Sequence, residues 1–179
     1  MKNAIIFHGT GEAPNFYWYP WLKNKLEEKG YAVSIPELPD TNHPNVATWL
    51  PKALEESYNE ETIIIGHSAG STLMLALLEQ LKVKIHQAIM VAAFYQDLPD
   101  FHGPIIKSSY DWEKIKSHVK EAIIINSDND PWGCSAEVGL DLIGKIGGTL
   151  IVPHGEGHMG SDSFKQPYKE FPLLLRLLA

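Results

Sequence analysis

Residues 62–78 read TIIIGHSAGSTLMLALL, and three successive patterns within them indicate the class of fold. Thr62–Ile65 is a continuous apolar run of mostly β-branched residues, as expected of a strand buried on both faces of a parallel sheet. Ala69–Leu81 is largely apolar and long enough for a buried helix. The pentapeptide GHSAG between them has the G-x-S-x-G pattern, in which a serine sits on a sharp turn from strand to helix. The stretch therefore predicts strand, strained turn and helix, with Ser68 as a candidate nucleophile. A serine that only caps an ordinary helix is the alternative.

Similar β-branched runs lie on both sides of this stretch, and segments with helical periodicity separate them. The runs are Ala4–Phe7, Tyr31–Ile35, Ala88–Ala92, Ala122–Ile125 and Thr149–Val152. The helical segments are Trp21–Lys29, Val46–Tyr58, Glu137–Ile146 and Phe164–Leu178. This alternation predicts an α/β fold with a parallel sheet and right-handed crossovers. At 179 residues the chain is expected to form a single domain over residues 1–179.

One segment, Phe94–Ser117, interrupts the alternation. It is longer than a connection needs and contains five aromatic residues, which argue against disorder. We expect a short cap over an apolar pocket, with Trp112 as a candidate wall. Ordinary core packing of Trp112 is the alternative.

Composition excludes several classes of function. Lys and Arg total 15 against 22 Asp and Glu, a formal charge of -7, so the chain should repel nucleic acids and anionic membranes. Cys134 is the only cysteine, which rules out an intrachain disulfide and a thiolate zinc site within one chain. The apolar run at the N-terminus is too short for a signal peptide, and no run reaches the length of a membrane span. We expect a cytoplasmic protein without a cofactor, and its protein partners cannot be predicted from these features.

A nucleophilic serine needs a base and an acid that orients it. The chain order Ser, acid, His of one hydrolase arrangement puts the acid after the fifth predicted strand and the histidine after the sixth. Asp128 and Asp130 are the candidate acids, and His154 and His158 the candidate bases. Asp130 is preferred because it lies further out, before a proline that turns the chain away. His158 is preferred because the glycines around it let its loop reach back across the sheet to Ser68.

An acyl-transfer enzyme also needs two donors for the oxyanion that develops on the carbonyl. One candidate is the backbone N–H of Ala69, directly after the nucleophile. The other is the N–H of Thr10, in the turn after the first strand, where glycines allow close approach to substrate. His8, Gly9 and His67 are expected to lie beside the substrate pocket.

Two other classes of site are disfavoured by the same segments. Gly9 and Gly11 after a strand partly match a dinucleotide-binding fingerprint, but Pro14 occupies the third glycine position. His154 and His158 have the i, i+4 spacing of a helical metal site, but their segment is rich in glycine and not helical. A non-catalytic binding module built on the same scaffold remains the alternative to an enzyme.

The whole chain resembles the small serine hydrolases grouped around retinoblastoma-binding protein nine, within the α/β-hydrolase superfamily. The resemblance rests on residues 62–70, Trp112–Ile115, Asp130-Pro131 and Gly157-His158. It implies a compact six-stranded parallel sheet in the order 2-1-3-4-5-6, with helices on both faces. It also implies that Ser68 is the nucleophile, Asp130 the acid and His158 the base of a serine hydrolase. We expect the substrate to be a small carboxylic ester, hydrolysed through a covalent acyl-enzyme.

The chain departs from the family pattern at two places. The L-x-C-x-E motif that gives the family its name is absent, since Trp132 and Ala136 flank Cys134. No retinoblastoma-type partner is therefore expected. Asn129 stands where relatives often have a second acidic residue before Asp-Pro. For this reason Asp128 stays open as the acid.

Overall fold

Six parallel strands form one sheet in the computed structural model, which describes residues 1–178. The strands are β1 (Asn3–Phe7), β2 (Ala32–Ser34), β3 (Ile63–His67), β4 (Ile85–Val91), β5 (Val119–Ile125) and β6 (Thr149–Ile151). Their spatial order is β2-β1-β3-β4-β5-β6, and every neighbouring pair is parallel. The predicted fold class and strand order are confirmed.

Within residues 1–178, six helices connect or follow these strands. They are α1 (Tyr19–Glu28), α2 (Val46–Ala53), α3 (Ala69–Leu78), α4 (Trp112–Ser117), α5 (Ala136–Ile146) and α6 (Pro172–Leu177). Three are shorter than predicted, and one of them is α3, which ends at Leu78 rather than at Leu81. The α2 helix ends at Ala53, whose carbonyl accepts a hydrogen bond from the Tyr58 hydroxyl at 2.6 Å. The last helix begins only at Pro172, because a proline is readily accommodated at the first helical turn, where its missing N–H is not needed.

The centre of the molecule is the β3–α3 unit. Every residue of β3 and every residue of α3 is buried. This burial explains why the sequence of the unit is continuously apolar rather than alternating.

The strand order reverses next to β3. Strand β2 lies next to β1 on one side, and β3, followed by β4, lies on the other side of β1. The loops that follow β1 and β3 therefore diverge at the carboxyl edge and leave a crevice, the usual ligand site of an open α/β sheet. Ser68 follows β3 directly, and Thr10 lies in the loop after β1.

Among residues 1–178, no helix combines the length and apolar character needed to cross a lipid bilayer.

Candidate active site

Ser68 lies on the turn from β3 to α3 with a strained backbone. Its φ is 53° and its ψ is −121°, a combination that a residue with a side chain rarely adopts. The Ser68 N–H donates to the carbonyl of Val91 at the end of β4, at 2.9 Å, and α3 begins at the next residue. This geometry matches the predicted nucleophile elbow.

The two glycines of the pentapeptide are needed because the backbone is crowded there. A Cβ atom on Gly70 would lie 2.7 Å from the carbonyl oxygen of His8, and one on Gly66 would lie 2.7 Å from the amide nitrogen of Ser71. Both neighbours are backbone atoms, so they could move only if the sheet or α3 moved. The close approach of α3 to β1 therefore depends on Gly70.

Replacing Gly70 with alanine should lower the free energy of unfolding by about 1–3 kcal/mol, as overpacking of a dense core does. Gly144→Ala is the matched control, because Gly144 is exposed on α5 and a Cβ there would touch nothing within 4 Å. The control should be neutral or stabilising by up to about 1 kcal/mol. Urea unfolding of both variants measures the difference. Equal stability of the two would contradict the proposed crowding.

His158 and Asp130 form a buried hydrogen-bonded pair. His158 Nδ1 donates to Asp130 Oδ2 at 2.8 Å, and the two side chains are 6% and 0% exposed. The other carboxylate oxygen of Asp130 accepts the N–H of Trp132 at 2.8 Å. Since Nδ1 carries the proton, Nε2 of the neutral ring is left with a lone pair. Burial lowers the pKa of His158 below its ordinary value even though the Asp130 carboxylate opposes this, so the ring is neutral at pH 7.

The backbone around His158 is held by side chains from distant parts of the chain. Gln166 Oε1 accepts the His158 N–H at 2.9 Å, and His67 Nε2 donates to the His158 carbonyl at 2.8 Å. The Trp18 indole N–H donates to the carbonyl of Met159 at 3.0 Å. The position of His158 is therefore fixed through its backbone, in addition to its bond to Asp130.

The alternative acid and base pair with each other at the surface. Asp128 Oδ2 lies 2.5 Å from His154 Nδ1, and the His154 side chain is 96% exposed. Asp128 also accepts the N–H of Gly155 at 2.8 Å; this bond, followed by the one to His154, lowers the pKa of Asp128. Asp128 therefore stabilises the loop at His154 and Gly155 on the protein surface, whereas Asp130 binds His158 in the interior.

Ser68 and His158 line one cavity of about 320 Å³, together with Thr10. Its apolar wall includes Phe94, Leu98, Phe101 and Trp132. Among residues 1–178 no hydrogen bond joins the Ser68 hydroxyl to His158. Proton transfer therefore requires the hydroxyl to turn toward His158 Nε2, a contact that commonly tightens only when substrate binds.

The two candidate oxyanion donors come from different loops: Ala69 directly follows Ser68, and Thr10 lines the same cavity as Ser68. Ala69 is the first residue of α3, so its N–H has no acceptor within the helix. Thr10 is exposed at the cavity, and within the described part of the chain no protein group accepts its N–H. Both N–H groups are therefore available to a ligand.

The structure places four of the predicted pocket residues away from the cavity that Ser68 lines. Trp112 does not line the cavity of Ser68; it packs against Tyr95 and Tyr110 on the other side of the 94–117 segment. The first part of that segment lines the cavity instead, through the three residues Phe94, Leu98 and Phe101.

His8, Gly9 and His67 are buried beneath the cavity and do not line it. His8 accepts the Leu38 N–H through Nε2 at 3.2 Å, and its ring packs edge-on against Trp49. Gly9 and His67 are instead hydrogen-bonded to Glu12, a residue that does line the cavity.

Sequence reasoning missed Trp132 and Glu12 as cavity residues. Trp132 follows Asp130-Pro131 at the same sheet edge, a signal that could have identified it. Its ring lies 6.4 Å from that of His158.

Asp130, Cys134 and His158 place potential metal ligands within 4.8 Å of one another. They do not fit a metal. Burial, reinforced by the Asp130 charge, raises the pKa of the Cys134 thiol well above its ordinary value and keeps it protonated, whereas metal binding requires a thiolate. The hydrogen bond between His158 and Asp130 also occupies Nδ1 of the ring and one carboxylate oxygen.

Comparison with known proteins identifies the family. A family model described as serine hydrolase matches residues 4–179. The chain belongs to this serine hydrolase family. It is 30% identical over 171 residues to YdeN of Bacillus subtilis strain 168, covering 90% of this chain and 87% of that protein. It is 31% identical to the serine hydrolase RBBP9 of Rattus norvegicus over 147 residues, covering 78% of each chain.

Solved structures agree with this membership. The crystal structure of the ydeN gene product from B. subtilis superposes with a TM-score of 0.91 at 26% identity, covering 99% of this chain and 97% of that one. Est1E from Butyrivibrio proteoclasticus has a TM-score of 0.67 at 15% identity, with 99% and 90% covered, and shows the fold alone. The predicted family resemblance is confirmed, and the protein is a hydrolase rather than a non-catalytic member of the fold.

Proposed function

We propose that the protein hydrolyses small carboxylic esters through a covalent acyl-enzyme on Ser68. The observation that carries the proposal is the buried His158–Asp130 pair, which opens onto the same cavity as the strained serine. A histidine with its Nδ1 proton held by a carboxylate is the base that a serine nucleophile requires.

The reaction begins when His158 Nε2 takes the hydroxyl proton of Ser68. Oγ attacks the ester carbonyl carbon, and the carbonyl oxygen becomes an oxyanion that the N–H groups of Ala69 and Thr10 stabilise. The oxyanion collapses, the bond to the alcohol oxygen breaks, and the His158 imidazolium protonates the leaving alcohol. Water, deprotonated by His158, then attacks the acyl carbon. The bond from that carbon to Ser68 Oγ breaks, the imidazolium returns its proton to Oγ, and the acid is released. Asp130 holds the imidazole in the required tautomer and stabilises its cation.

The cavity favours a short, uncharged acyl group. Its volume of about 320 Å³ is at the small end for ligand sites, and much of its wall is aromatic. No Lys or Arg side chain of residues 1–178 lines it, whereas Glu12 and Asp162 do. A substrate with a negative charge would therefore find no ion pair there.

A series of p-nitrophenyl esters tests this proposal. We expect kcat/KM to be highest for acetate or butyrate and to fall at least about tenfold for decanoate. The reason is that a cavity of about 320 Å³ cannot hold all the methylenes of the decanoyl chain. Ser68→Ala supplies the background rate. A value of kcat/KM that rises continuously to decanoate would contradict a small acyl pocket.

A further inference from the structure

A buried polar cluster that reaches the cavity only through Glu12 has no role in the mechanism above. It consists of Glu12 from the loop after β1, Tyr19 from α1 and His67 from the end of β3. The three residues are 7%, 0% and 0% exposed. Buried polar groups are costly unless they are paired, so the hydrogen bonds of this cluster must be accounted for.

Both ring nitrogens of His67 are hydrogen-bonded. Nε2 lies 2.8 Å from the carbonyl oxygen of His158, which can only accept, so Nε2 carries a proton. Nδ1 lies 3.0 Å from a carboxylate oxygen of Glu12. The Tyr19 hydroxyl donates to the other oxygen of that carboxylate and lies 2.9 Å from His67 Nδ1.

The charges agree with an ion pair between His67 and Glu12. Burial alone would lower the pKa of His67, but the Glu12 carboxylate outweighs it and the pKa is raised. Burial alone would raise the pKa of Glu12, but the His67 charge and its hydrogen bonds lower it. Both shifts favour an imidazolium that donates from both nitrogens.

The cluster is connected to Ser68, His158 and Thr10 through neighbouring residues or a single backbone hydrogen bond. His67 directly precedes Ser68 in the chain, and its Nε2 holds the backbone of His158. The Glu12 carboxylate accepts the N–H of Gly9 at 2.5 Å, and Gly9 directly precedes the candidate oxyanion donor, Thr10. No atom of His67 lines the cavity, so His67 cannot touch the substrate there.

We propose that His67 is a positioning residue of the reaction. Its Nε2–H fixes the backbone of His158, and Glu12 fixes His67 in the orientation that this bond requires while restraining the turn that presents Thr10. This inference rests on the proposed role of His158 as the base. A displacement of a reacting group by about 1 Å can cost about 100-fold in rate, which sets the size of the expected effect.

Two substitutions of His67 separate positioning from packing. The amide nitrogen of a glutamine lies about as far along the side chain as Nε2 of histidine, and that of an asparagine about as far as Nδ1. His67→Gln therefore keeps the donor to His158, whereas His67→Asn keeps the donor to Glu12 and loses the one to His158. Both substitutions remove the charge and the ring.

We expect His67→Asn to lower kcat for p-nitrophenyl acetate by about 100-fold with little change in KM, and His67→Gln to stay close to the wild-type value. Thermal unfolding of both variants should give similar midpoints, since both lose the same ion pair. Equal kcat values in the two variants, whether both normal or both reduced, would overturn the proposal.

A second pair of variants tests the same link through Glu12. Glu12→Gln can still accept from Gly9 and donate to His67 Nδ1, which leaves Nε2–H directed at His158. Glu12 lines the cavity, so the comparison is between two variants of this one position, and Glu12→Gln should retain far more of the wild-type kcat than a variant without polar atoms. Glu12→Met has a similar length without polar atoms and should lower kcat by about 100-fold. A normal kcat in Glu12→Met would overturn the proposal even if His67→Asn did not fold.

Failure of the proposed function has a separate signature. If Ser68→Ala and His158→Ala kept wild-type turnover, Ser68 and His158 would not carry the reaction. If those two variants lost turnover and the His67 pair did not differ, only the positioning role would be wrong.

Discussion

Ser68→Ala should lower kcat by about 10⁶-fold, to the residual rate that binding and the oxyanion donors give without a nucleophile. The reason is that Ser68 is the one residue in the mechanism that forms a covalent bond with substrate. The change removes a hydroxyl from a half-buried position and leaves the turn intact. Steady-state assays with p-nitrophenyl acetate measure the decrease in kcat.

The fold of this variant should be unaffected. The Ser68 hydroxyl makes no hydrogen bond within residues 1–178, so its removal leaves no buried partner unpaired. The urea midpoint should match that of the wild-type protein. Loss of turnover by less than tenfold in a folded variant would mean that another group attacks the substrate.

Asp130→Asn should lower kcat by about 10⁴-fold, because an asparagine can donate its own N–H to His158 Nδ1 and so favour the wrong tautomer. Asp128→Asn is the matched control. Asp128 pairs with the exposed His154 and with the Gly155 N–H, and it makes no contact with His158. The control should lose less than about tenfold, since the surface pair contributes little.

The two substitutions are to be compared under identical conditions, with kcat for p-nitrophenyl acetate as the readout. A collapse of turnover in Asp128→Asn alone would reassign the acid. It would also require the exposed loop that carries His154 to rearrange before catalysis.

The sheet and the elbow could be predicted because their signals are local. Thr62–Ile65 is continuously apolar, and the pentapeptide after it permits only a tight turn, so strand, turn and helix follow from adjacent residues. The strand order came from the family resemblance, since nothing in the local pattern states which strands pair. The structure places His158 against Asp130, while their catalytic roles remain predictions.

The segment 94–117 could not be predicted in detail because its position depends on distant contacts. Glu79 of the α3 C-terminal end pairs with Lys107 and accepts the Asp111 N–H at 2.5 Å. With these contacts to α3, Trp112 packs against Tyr95 away from the cavity, and Phe94 at the start of the segment lines the cavity. Aromatic content alone does not state which ring faces the substrate.

The buried cluster of Glu12 and His67 shows a second limit. Histidine next to a nucleophile and glutamate in a glycine-containing turn both look like ordinary polar residues in sequence. Only the fold shows that they meet at 3.0 Å and that His67 reaches the His158 backbone 91 positions later. Because His67 precedes Ser68 in the chain, it was predicted to lie beside the pocket. Its tertiary contacts instead hold its ring fully buried.

Labelling with a fluorophosphonate probe tests directly whether Ser68 is a nucleophile that His158 activates. The intact mass of the treated protein counts the adducts, and peptide mapping locates them. We expect one adduct per chain on the peptide that contains Ser68. The adduct should be absent from Ser68→Ala and should form much more slowly in His158→Ala. An adduct on another residue, equal labelling of Ser68→Ala, or no labelling of the wild-type protein would contradict this expectation.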